Sequence, residues 1–293
     1  MRTAGRLPGI LAVVLALAGG CSFPLFDRAS ERLGRTRAVE HVPGAGVRVE
    51  LENGSILVEA EDREDVEIVA SLQSHSIERL RATAVTSERD EAGTLLVEVR
   101  WPGQGRQSHE RCHVRIALPD ADGVKLTTRN GSVNVSGLSG EADLRTHNGG
   151  VRLVRHDGPI DAHTNNGRIQ IAATGAHPIE AKTHNGSIEV ENAAAEVEAT
   201  TSNGAVTLTL ADSATGPVEA KTHNGAVTLR LGATLAGSLS MSNNLGDLVI
   251  DDRLGRFVKS RTKHEALLVW DEEGPESSLS TNNGSVRVEQ RGE

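Results

Sequence analysis

The chain has 293 residues, with 31 basic and 40 acidic side chains and a formal net charge of −9. That balance argues against nucleic acid as a partner and against an electrostatic grip on anionic lipid. Aromatic residues make up 2% of the chain, with no Tyr, which argues for a thin core of Val, Ile, Leu, Ala and Thr.

Residues 1–20 read as a secretory signal. Arg2 and Arg6 give a positive start, and Ile10 to Ala18 is an apolar run too short to span a bilayer as a helix. Gly19 and Gly20 are small residues just before Cys21. The string Leu17-Ala18-Gly19-Gly20-Cys21 resembles the lipobox of bacterial lipoproteins, with Ala18 where a Leu usually stands. The resemblance implies lipidation at Cys21, anchoring to the membrane by acyl chains worth about 0.8 kcal/mol per buried methylene, and, with Ser22 in place of Asp, sorting to the outer membrane. The alternative is an ordinary secretory leader followed by an unrelated Cys. Cleavage leaves 29 basic residues against 40 acidic ones, net −11. Residues 21–45 then read as a tether from the lipid to the body, with short helical character from Ala29 to Ala38.

Residues 46–123 read as an N-terminal β region that caps a repeat array. Val47, Val49, Leu51, Asn53-Gly54, Ile56 and Val58 match the later repeat once. Strand-like runs at Val66–Ala70, Thr94–Trp101 and His113–Leu118 then lose the period, with a polar insertion from Gly103 to Glu110. A cap of this kind protects an open sheet end from pairing with another copy. Cys112 alternates with polar residues and reads as an inward core filler. It is the one thiol outside the leader junction, so neither an internal disulfide nor a Cys-based metal site is expected.

Residues 124–293 carry the repeat. Asn-Gly recurs at Asn130-Gly131, Asn148-Gly149, Asn166-Gly167, Asn185-Gly186, Asn203-Gly204, Asn224-Gly225 and Asn283-Gly284. The last gap fits two degenerate copies, at Asn243-Asn244-Leu245-Gly246 and at Lys263-His264-Glu265, for nine coils from Val124 onward. Two residues before each Asn stands Thr: Thr128, Thr146, Thr164, Thr183, Thr201, Thr222 and Thr281. Apolar residues stand four before and three and five after it. Period-two alternation means one buried face per strand. An antiparallel meander is compatible with Asn-Gly turns but leaves an apolar face uncovered. Column identity across coils favours a right-handed parallel β-solenoid of about nine to ten coils of 18–21 residues, with nine rungs spanning about 43 Å. Gly is expected at the corner for positive φ, and Asn for tolerance of the left-handed region and for coil-to-coil amide ladders.

The repeated Thr-His-Asn-Gly-Ser-Ile-Glu-Val and Thr-His-Asn-Gly-Ala-Val-Thr-Leu strings resemble the bacterial putative-adhesin family, over about residues 45–290. The resemblance implies a β-solenoid domain of unknown function, frequent on exported lipoproteins, and supplies no catalytic residues.

Three surface features are candidates for function. The residue before each Asn forms an outward column in which His147, His184 and His223 alternate with Asn165 and Ser202; the spacing extends the column to Arg129 and Asn243. Alternate rungs lie about 9.6 Å apart, too far for two His to share a zinc ion. His163 could approach His147 or His184, yet no metal and no cofactor is expected. Asp143, Asp161, Glu180, Glu198 and Glu219 form an acidic column beside Arg145, His163, Lys182, Thr200 and Lys221, which reads as a salt-bridge lattice on a flat outer face. Asp157, Asp212, Asp251, Asp252 and Asp271 fall in return loops without a shared motif. The expectation is a non-catalytic envelope lipoprotein, an adhesin or scaffold that binds protein or glycan through a flat side. The alternative is a glycan-active β-helix enzyme of lyase or esterase type that uses the loop carboxylates.

Overall fold

The computed structural model describes residues 30–232 and 235–291. The signal, Cys21 and the start of the expected tether lie outside them. Each repeat is a strand that enters the Asn-Gly corner and a strand that leaves it. Strands of the first kind line up in a 13-stranded entry sheet, and strands of the second kind in a 12-stranded exit sheet. Within the coils every neighbouring pair is parallel and in register. Asp161 lies opposite Asp143 and Glu180, Thr164 opposite Thr146 and Thr183, and Asn166 opposite Asn148 and Asn185. The antiparallel meander is therefore excluded, and the fold is a parallel β-solenoid.

Ten rungs stack along the rod, but not in chain order. The first is Leu95–Arg100 with Arg111–Leu118. The second is Val47–Asn53 with Ile56–Ala60, which sits between the first and the third, Asp122–Asn130 with Val133–Ser136. Rungs four to eight follow in sequence to Val218–Asn224 with Val227–Leu231. The ninth is the C-terminal Glu276–Asn283 with Val286–Gln290, and the tenth is the earlier Ser238–Leu245 with Leu248–Ile250. Both ends of the rod thus turn back, and the last-made coil is inserted inward.

The structure departs from the repeat pattern in several places. Eight coils, not nine, follow Val124. Lys263-His264-Glu265 is not a corner: it links antiparallel strands Val258–Arg261 and Glu265–Val269, and the second of these covers the outer edge of Ser238–Leu245. Leu245, not Asn243 or Asn244, lies in register with Asn283. Asn243 therefore falls in the buried Thr column, and Asn244 takes the outward place beside Asn282. The expected tether carries a strand, Glu31–Glu40, paired antiparallel with Asp65–Ser74, so the helical reading of Ala29–Ala38 fails from residue 31 onward. A strand at an open sheet edge gains ten residues of ladder there, which a short helix in so polar a segment cannot match. The N-terminal region is more than a cap, since it supplies two full rungs. Its remaining pieces are the strand Asp65–Ser74, which pairs antiparallel with Arg111–Leu118, a short helix, Ile77–Ala82, capped by Ser76, and an edge strand, Ala84–Arg89.

The core is a set of one-residue stripes. Leu126, Leu144, Ala162, Ala181, Ala199, Ala220 and Leu279 form one, and Val133, Val151, Ile169, Ile188, Val206, Val227 and Val286 face it; all are at most 1% exposed. Cys112 is buried in the first rung, opposite Leu72, and burial pushes its thiol pKa up to about 12. A fully buried His156 closes the return of the fourth rung. Its Nε2 lies 2.8 Å from the Gly140 carbonyl, and its Nδ1 makes no hydrogen bond.

Candidate functional site

The corner is built by three residue types with separate tasks. Each corner Asn donates from Nδ2 to Oδ1 of the Asn one rung before it, at 2.6–2.8 Å, in an unbroken ladder from Asn53 to Asn283. Each buried Thr donates its hydroxyl to the corner Gly carbonyl one rung before, at 2.8–3.1 Å. The Gly column is so tight that a Cβ on Gly167 would stand 2.0 Å from the Gly149 carbonyl oxygen, and one on Gly186 1.9 Å from that of Gly167. These glycines, with Gly149, Gly204 and Gly284, do not take the left-handed backbone, and none of the corner Asn residues does. Contact between stacked corners, not positive φ, is what demands Gly at these positions.

Outside the corner runs the column His147, His184 and His223, with Asn165 between the first two; these are exposed. The alternate-rung spacing keeps the three His apart. His163 does not join them: its Nε2 lies 2.6 Å from Asp161 and 3.5 Å from Glu180. Among the described residues, Asp161, His163 and Glu180 are the set of three whose donor atoms lie within 4.8 Å of one another. Both carboxylates already have cations, Arg145 at 2.7 Å from Asp161 and Lys182 at 2.6 Å from Glu180.

These contacts belong to the lattice on the entry sheet. Lys125 pairs with Asp143, Arg145 bridges Asp143 and Asp161, His163 bridges Asp161 and Glu180, and Lys182 bridges Glu180 and Glu198. Stacking acids on acids at one rung spacing is tolerated where Arg145 and Lys182 sit between them and where the His163 ring lies between Asp161 and Glu180; Glu219, at the end of the column, has no ion-pair partner among the described residues. The hydrogen bonds to Glu180 and Glu198 hold Lys182 protonated well above its usual range, and Lys182 in turn lowers Glu180. The product is a face whose charges are mutually paired from Lys125 to Glu198. Towards the C-terminal end the same face changes to short hydroxyl and amide side chains: Ser278, Ser240, Ser280, Ser242, Asn282 and Asn244.

The return-loop acids stay apart. Asp157 meets His177, Asp212 meets Arg291, and Asp251 meets Arg253.

One site escaped sequence reasoning. In the first rung the Asn-Gly corner is replaced by residues 101–110, and this loop overhangs the outer faces of rungs one and two. Beneath it lies a cleft of about 630 Å³, with Arg48, Glu50, Glu98, Arg100, Trp101 and Arg106 among its lining. The loop is held from below by a buried clamp. Arg79 donates to both oxygens of the fully buried Glu110, at 2.6 and 3.0 Å, and to the carbonyls of Pro102 and Gly105. Ser74 and the Gln107 N–H complete the carboxylate's partners. Burial alone would raise the Glu110 pKa, but the bonds from Arg79, Gln107 and Ser74 outweigh it and leave it lowered. The signal in the sequence was a Trp beside a Pro-Gly-Gln-Gly run where an Asn-Gly corner should fall.

The toastrack DUF4097 family matches residues 45–251. Among solved structures, a putative adhesin from Bacteroides fragilis is 14% identical and covers 87% of this chain and 97% of its own, with a TM-score of 0.52. A putative adhesin from Parabacteroides merdae is 10% identical over 88% of this chain and 96% of its own, TM-score 0.29. A putative lipid binding protein from Parabacteroides distasonis is 12% identical over 87% and 96%, TM-score 0.30. At these identities the first likeness supports the fold alone. No curated protein matches the chain.

Proposed function

The chain belongs to the toastrack DUF4097 family, and from that premise we propose that it is a non-catalytic, exported surface protein that binds a protein or glycan partner through the flat entry-sheet face. The observation that carries this reading is the ion-pair lattice. Asp143, Asp161, Glu180 and Glu198 are each held by Lys125, Arg145 or Lys182, which suits a docking surface and leaves no free pair among these four for acid–base chemistry. A stacked face offers many weak, near-equivalent contacts, which favours extended partners. The proposal includes a lipid anchor at Cys21, supported by the leader and the small residues before it. Mass spectrometry of the purified native protein is expected to find an N-terminal Cys21 carrying lipid on its thiol; an unmodified Cys21 thiol removes the anchor.

The docking claim is tested by recovering partners from an envelope extract with the mature chain. Arg145→Gln with Lys182→Gln is expected to lose partners that the parent retains. Equal recovery removes the face as the binding surface. The same experiment with Ala at His147, His184 and His223 decides whether the adjoining ridge contributes.

A further inference from the structure

The cleft under residues 101–110 is a second surface with a different chemistry. Its ionic groups are nearly all committed. Arg100 pairs with Glu98 at 2.6 Å, and Arg106 with Glu52 at 2.8 Å. Arg48 and Glu50 remain, and neither makes an ion pair or side-chain hydrogen bond among the described residues. The indole N–H of Trp101 also makes none. The cleft thus keeps one free cation, one free anion and one free neutral donor, beside Leu96 and the part of Trp101 that its packing on the core leaves uncovered.

That inventory selects a ligand class. An anion such as phosphate would meet Glu50, Glu52 and Glu98 as well as the three arginines. An extended peptide cannot add to the sheet here, because both strands of the floor are already paired on both sides: Val47–Asn53 with its two parallel neighbours, and Leu95–Arg100 with Val47–Asn53 and Ala84–Arg89. A neutral ligand that offers donors and acceptors around an apolar face fits all the free groups at once. An aromatic ring takes the apolar face, and the charged pair takes the hydroxyls. We propose that this cleft binds a neutral oligosaccharide, with Trp101 stacking against a sugar ring and Arg48 and Glu50 bonding its hydroxyls. The Arg79–Glu110 clamp holds the Trp101 loop in place before the ligand arrives, which lowers the ordering cost of binding.

This inference rests on the non-catalytic binding reading but uses a different surface from the lattice, so either can fail while the other stands. The chain has two tryptophans, Trp101 and Trp270, and Trp270 lies in the cap at the far end of the rod. Two indole N–H signals are therefore expected in a nitrogen–proton correlation spectrum, and Trp270→Phe assigns them. The mature chain is titrated with maltohexaose, cellohexaose, chitohexaose and mannohexaose, and in parallel with trigalacturonate and a mixed hexapeptide library. At least one neutral oligosaccharide is expected to move the Trp101 signal, leave Trp270 in place and produce no cleavage of the sugar. Arg48→Ala and Glu50→Ala, both exposed positions, are expected to weaken binding about tenfold each. A Trp101 signal unmoved by all four neutral sugars at millimolar concentration overturns the proposal. So does a response confined to trigalacturonate or peptide, or binding unchanged in both substituted chains.

Discussion

At the residue scale, the corner motif divides its work between backbone space and side-chain bonding. Gly is required because carbonyl oxygen and Cα of successive corners touch, and the nearest neighbour is backbone that cannot swing away. Gly186→Ala is therefore expected to cost about 1–3 kcal/mol, the usual range for overpacking. Asn185→Ala removes two exposed amide bonds, one to each neighbouring rung, and is expected to cost about 1 kcal/mol per bond at most. Urea midpoints of the two variants check the order. If the Asn change proves the more damaging, the ladder and not the close approach governs the corner. The Thr column follows a related logic. A buried hydroxyl with a partner at every rung lets a narrow interior accept a polar atom without leaving it unsatisfied.

At the element scale, a stacked rod would otherwise end in open strand edges, and here both ends are folded inward. The tenth rung touches the eighth only through the ninth, which is the last to be made. Truncation after Pro275 should separate residues 235–275 from the rod while the earlier rungs stay folded, since stability in a stacked array is mostly a sum of nearest-neighbour terms. Limited proteolysis of the truncated chain is expected to trim it to a core ending near Gly232. A core that still includes Ser238–Leu245 would show that the cap hairpin holds that rung without its neighbour. At the other end, a buried Arg–carboxylate pair shapes the loop of residues 101–110. Removing one partner of such a pair leaves the other uncompensated, which is why Arg79 and Glu110 are poor choices for probing the cleft and Arg48 and Glu50 good ones.

At the scale of the whole molecule, the net negative charge coexists with a lattice of paired charges on the entry-sheet face. Exposed pairs contribute about 0–1 kcal/mol each, so the lattice shapes a surface more than it holds a fold. Solution pH should act through buried groups. Burial lowers the His156 pKa, with Gly140, Asp157 and His177 as lesser influences. As pH falls through its ordinary value of 6.5, the unfolded chain takes up a proton that the folded ring refuses, so stability declines from there down to the folded value. His156→Leu is expected to flatten the dependence of the urea midpoint between about pH 7 and 5. Parallel curves for the two proteins would place the sensitive group elsewhere. Glu110, also lowered, adds a further loss only below its ordinary 4.5.

Everything that repeats was legible in the order of residues. The Asn-Gly spacing, the alternation on either side and the Thr, acid and base columns placed each residue of rungs three to nine on its correct face, because a strand's period of two and a coil's fixed length leave little choice. The same columns named most of the lattice partners, since stacking puts like residues one rung apart; Lys125 stood outside them, and Glu219 and Lys221 form no ion pair among the described residues. The order of stacking and the two ends came instead from long-range packing. Every rung presents much the same stripes and ladder groups, so the period cannot say which coil lies beside which. That choice fell to the burial of the last edges, which drew Val47–Ala60 and Glu276–Gln290 into interior places. The same step turned a segment read as a tether into an edge strand, and brought Trp101 to the same cleft as Arg48 and Glu50 across about fifty residues of chain, a juxtaposition with no local pattern to announce it.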